Sequence, residues 1–88
     1  MAIYAITYDL NKDKNYQKLW DEFKKLDACK AARSFYLVNL NNSTSDVIAH
    51  FQGFIDKDDI LIVVKTTIHD IKTYRPLKGT GAWIKENS

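Results

Sequence analysis

Cysteine is almost missing from this chain: Cys29 is the single thiol among 88 residues. One thiol closes no internal disulfide. With two histidines, His50 and His69, no Cys/His set has zinc-ligand spacing. Such usage fits a reducing compartment, so a cytoplasmic location is expected. Long apolar runs are also missing. None approaches the ~20 residues that a helix needs to cross a bilayer, so no membrane role is expected. The opening Met1-Ala2-Ile3-Tyr4 lacks a basic leader region, and no secretory signal is expected. Proline occurs once and glycine three times, at Pro76, Gly53, Gly79 and Gly81. The earlier part of the chain therefore reads as packed elements joined by short turns, without repeats or low-complexity linkers.

No block of like charge is present, and the net charge is +2. Lys and Arg outnumber acids seven to five over residues 1–33 and five to two over 65–88, but number one against four between. Basic ends could line a phosphate-binding rim or simply be solvated surface. What the chain does have is aromatic residues: two Trp, five Tyr and four Phe. They can fill the core of one small domain, and the length permits only one.

Residues 2–10 alternate as a strand, with Tyr4, Ile6, Tyr8 and Leu10 on one face and Ile3, Ala5 and Thr7 on the other. Apolar character on both faces predicts a central strand. Residues 11–15 are polar and predict a turn. Tyr16, Leu19, Trp20, Phe23 and Leu26 then recur at helical spacing, with Asp13 or Asn15 near the start of that helix. Residues 31–40 return to strand character, and the stretch 30–40 is long enough for two short strands bent at Arg33-Ser34. Thr44 or Ser45 is expected to cap a second helix carrying Val47, Ile48, Phe51, Phe54 and Ile55. After a charged turn at 56–59, the run Ile60-Leu61-Ile62-Val63-Val64 predicts a second central strand. Residues 78–81 predict a turn, and 82–87 a final short helix or strand. The order is that of an α+β domain, a ferredoxin-like β-α-β-β-α-β sandwich with a C-terminal extension, spanning residues 1–88.

Asp9 is the first candidate for chemistry. A carboxylate at the C-terminal end of a central strand stands where ligands often bind. Magnesium takes one or two carboxylates plus waters, so two copies of Asp9 across a dimer axis would make a site able to activate water. The same residue also ends strands merely by accepting turn hydrogen bonds. Arg33 and Ser34 offer a phosphate fork and a hydroxyl donor, or a surface ion pair and a bend. Lys12 and Lys14 join them as candidate nucleic-acid contacts. Lys78-Gly79-Thr80-Gly81 lacks the spacing of a phosphate loop. Trp83 and Tyr74 are candidates for a dimer interface, for the core, or for base stacking.

Three segments then carry a family resemblance: Tyr4-Ala5-Ile6-Thr7-Tyr8-Asp9-Leu10, Ala31-Ala32-Arg33-Ser34-Phe35-Tyr36-Leu37-Val38, and Asp58-Asp59 leading into the 60–64 run. Together with the late Ala82-Trp83-Ile84-Lys85, the pattern resembles the SinR-like small proteins of bacteria and phages. Those are similar to the small CRISPR-associated subunit of the spacer-integration complex and to VapD-type ribonucleases. The resemblance implies a ferredoxin-like homodimer. It implies Asp9 as the metal-associated residue with Mg2+, Ser34 before the third strand, and Arg33 near nucleic acid. Tyr36-Leu37 stands where the CRISPR-associated subunit has an aromatic–glutamate pair, and Cys29-Lys30 where it has a glycine. Two roles are therefore expected: a dimeric nucleic-acid-associated protein acting as a magnesium-dependent endonuclease on RNA or DNA, or a non-catalytic protein-interaction module binding a protein partner.

Overall fold

The computed structural model describes residues 2–11 and 16–88. Of the turn expected at 11–15 only Asn11 is described; residues 12–15, with the cap expected at Asp13 or Asn15, lie outside the described residues. The elements are β1 (Ala2–Asp9), α1 (Gln17–Lys25), β2 (Cys29–Ala32), β3 (Phe35–Leu40), α2 (Thr44–Gln52), β4 (Ile60–Thr66), a 3-10 turn (Ile68–Asp70) and α3 (Thr80–Glu86). The four strands form one antiparallel sheet in the order β2-β3-β1-β4. The architecture is mixed α and β, as the alternation of periods predicts.

β1 is central, fully buried along its Tyr4, Ile6 and Tyr8 face, and on the other face buried at Ile3 and half-buried at Ala5 and Thr7. Tyr4, Ile6 and Tyr8 point into a core with Leu19 and Phe23 of α1, Tyr36 and Val38 of β3, and Val47 and Phe51 of α2. The Phe23 ring lies flat on Tyr36, with centroids 3.9 Å apart, and stacks against Phe51 at 4.8 Å. Such pairs contribute about 0.5–1.5 kcal/mol each beyond the area they bury. Ile3 faces the other way, into a smaller cluster with Cys29, Ala31, Leu37 and Trp83. α3 covers that end of the second face, and the Trp83 indole N–H donates to the Asp27 carbonyl at 2.8 Å.

α1 ends in a tight cap. Ala28 N–H reaches the Phe23 carbonyl and Asp27 N–H reaches the Lys24 carbonyl, which requires Asp27 in the left-handed region at φ 57°. The expected bend at Arg33-Ser34 is present, dividing 29–40 into β2 and β3. The cap of α2 is Ser43 rather than Thr44 or Ser45: its hydroxyl accepts from Asp46 N–H at 3.1 Å. α2 stops at Gln52, one turn before the apolar repeat does, and Phe54 and Ile55 pack on the core from the segment beyond it. Residues 82–86 of the expected 82–87 element are helix, with Asn87 as its C-cap, and α3 begins inside the expected 78–81 turn, with Gly79 at φ 95° before it.

One strand departs from expectation. β4 is an edge strand, paired with β1 alone among the described strands. Leu61 and Val63 pack on the core, whereas Ile60, Ile62 and Val64 are 53%, 49% and 52% exposed. A run of β-branched residues has the same sequence pattern whether both faces are covered or one is left open.

Candidate functional site at the end of the first strand

β1 runs through the core and delivers Asp9 to its C-terminal end, where the carboxylate is exposed. Asp9 is opposite Ile60, and Thr7 is opposite Phe35. The β2–β3 turn is tied to this end of β1 at two points. Tyr8 N–H donates to the Ser34 carbonyl at 3.3 Å, and the Thr7 hydroxyl donates to the same oxygen at 2.9 Å. The exposed Arg33 and half-buried Ser34 therefore share one sheet end with Asp9, although about two dozen residues separate them in the chain.

Next to this end lies a latch that local patterns do not reveal. Asn11 N–H donates to Asp59 Oδ1 at 2.8 Å, and the Asn11 side-chain amide donates to Asp58 Oδ2 at 2.9 Å. The other Asp59 oxygen accepts from the Tyr16 hydroxyl at 2.9 Å and from Asp56 N–H at 2.8 Å. Burial raises the Tyr16 pKa above its ordinary value near 10, and the hydrogen bond to Asp59 and the charges of Asp59 and Asp58 raise it further. Asp58 and Asp59 thus hold Asn11 and Tyr16 against the start of β4. Asp9, beside this latch, faces solvent, as does Asp58. Among the described residues no group of three or more His, Cys, Asp or Glu is placed to hold a metal ion. A cation here would rest on Asp9, with the remaining oxygens coming from water or a bound phosphate.

The remaining candidates are dispersed. Lys12 and Lys14 lie outside the described residues. Trp83 is 7% exposed within its own chain, fixed by the second core cluster, whereas Tyr74 is 88% exposed. Cys29 is buried beside Thr80. His50 pairs with Glu22 at 2.7 Å, bridging α2 to α1. They line a cleft of about 280 Å³ with Asp46, Leu40 and Phe51. Leu40 pairs with Ala2, so this cleft lies at the opposite end of the sheet from Asp9.

No protein-family model matches this chain.

Proposed function

We propose that this chain is a cytoplasmic, homodimeric, nucleic-acid-associated protein of the SinR-like kind with a ferredoxin-like fold, and that Asp9 and the Arg33-Ser34 turn engage the phosphate backbone. The strand order β2-β3-β1-β4 and the antiparallel pairing support the fold. The observation that supports the function is the double tether of Ser34 to Thr7 and Tyr8, which brings the Arg33-Ser34 turn to the sheet end where Asp9 is exposed. Arginine binds phosphate oxygens through paired N–H donors, and the Ser34 hydroxyl adds another. Asp9 repels a phosphate on its own, so the pair calls for a cation between them. Bound Mg2+ supplies Lewis acidity and a water of lowered pKa, and it customarily takes one carboxylate together with substrate phosphate oxygens. Asp9 would hold it, and Arg33 would orient the strand. The activity that fits is slow magnesium-dependent cleavage of RNA or DNA.

The exposed Ile60, Ile62 and Val64 favour a second role, a non-catalytic interaction module on the same fold. A gel-shift titration at rising salt separates the two. Binding through phosphates weakens steeply with salt and weakens again in Arg33→Ala. No shift with single- or double-stranded RNA or DNA at low salt would leave only the interaction role.

A further inference from the structure

We infer that the free edge of β4 pairs antiparallel with β4 of a second copy about a two-fold axis through Ile62, joining two four-stranded sheets into one of eight strands.

The two edges of the sheet differ. At the β2 edge the chain folds back, with Leu77 N–H donating to the Ala31 carbonyl at 2.9 Å and α3 packed alongside. At the β4 edge no such cover is present among the described residues. β4 has a single protective device of an exposed edge, Lys65 near its end; residues 60–64 contain no proline, glycine or charge. One face of this edge is apolar, with Ile60, Ile62 and Val64 projecting from it. On the helix side a groove of about 360 Å³ opens beneath α2, where Ile48, Ile55 and Leu61 meet Gln52, Asp56, Lys57 and Asp59.

The sequence of β4 selects a second copy as the occupant. A two-fold axis perpendicular to the sheet keeps each face on its own side, so opposing residues have numbers that sum to an even value. With Ile62 on the axis, Ile60 faces Val64 of the second copy, Ile62 faces Ile62, and Leu61 faces Val63. Asp59, which precedes β4 and whose carboxylate also accepts from Asn11, Tyr16 and Asp56, then faces Lys65, so opposite charges flank both ends of the ladder. Moving the axis to Leu61 sets Asp59 against Val63. Moving it to Val63 sets Lys65 against Leu61. Only the Ile62 register matches apolar with apolar and charge with charge.

The pairing rests on the proposed function only in supposing a dimer, and the gel-shift test succeeds or fails without it. It also changes what a dimer means for Asp9. Strand spacing and rise place the two Asp9 residues roughly 20 Å apart, so each carboxylate serves its own chain.

The test is cross-linking of the full chain. Antiparallel partners on the axis have Cα separations of roughly 4.5–5.5 Å, which a disulfide spans. Under mild oxidation Ile62→Cys should become a covalent dimer, whereas Asp9→Cys should not. By sedimentation the wild type should be dimeric at roughly 100 µM. Ile62→Lys should be monomeric with an unchanged circular dichroism spectrum, and Lys65→Glu should raise the dissociation constant several-fold. A monomeric wild type overturns the pairing. So does a dimer in which Ile62→Cys fails to cross-link, including one that Asp9→Cys links instead.

Discussion

The hydroxyl of Tyr16 donates to the carboxylate of Asp59 at 2.9 Å, joining residues 43 positions apart in the chain. With Asn11 and the Asp56 N–H on the same carboxylate, this contact ties Asn11 and Tyr16 to the start of β4. It holds the scaffold on which Asp9 stands. Asp59→Ala would leave the Asn11 and Asp56 amides and the Tyr16 hydroxyl without their acceptor. Chemical denaturation should show a loss on the order of 2 kcal/mol. Asp58→Ala, which removes a single bond to the exposed Asn11 side chain, should cost well under half of that.

Stability should also fall in alkali. Burial, foremost, and the neighbouring Tyr8 push the Tyr36 pKa up to about 12, and Tyr16 is raised as well. In the unfolded chain both phenols ionise near pH 10, so above that the unfolded state has lost protons that the folded state keeps. Their contribution is intact below pH ~10 and drains away as pH rises toward the folded values. Denaturation midpoints should be flat with respect to these groups from pH 7 to 9 and fall between pH ~10 and 12. Tyr36→Phe should flatten part of that fall.

Asp27 occupies a left-handed position at the end of α1, φ 57°, where glycine has no Cβ penalty. Its carbonyl, not its side chain, accepts from Trp83. Asp27→Gly should therefore keep the cap and the indole contact while relieving strain. Thermal unfolding should rise by the equivalent of about 0.5–1 kcal/mol.

The alternation along β1 was legible because both faces of a central strand are apolar, and the two faces do enter two separate clusters. The helices followed from Leu19–Phe23 and Val47–Phe51 at helical spacing. The bend at Arg33-Ser34 was legible because 30–40 is long enough for two short strands, but its docking on β1 depends on the register Thr7–Phe35. The edge position of β4 was not legible. Ile60, Ile62 and Val64 have the composition of a covered strand, and only strand order exposes them. The α2 cap fell one residue early because Ser43, Thr44 and Ser45 can each accept from a helix N–H, and backbone conformation chooses among them. Neither the Asn11–Asp58–Asp59 latch nor the Glu22–His50 pair has a local signal, since 28 to 48 residues separate their members.

The most direct measurement compares wild type with Asp9→Ala on labelled single- and double-stranded RNA and DNA, with Mg2+ and with chelator. Cleavage by wild type that needs Mg2+ and disappears in Asp9→Ala, while the circular dichroism spectrum and oligomeric state stay unchanged, is the expected result. Equal cleavage by the two proteins, or none by wild type on any of the four substrates, would contradict a catalytic Asp9.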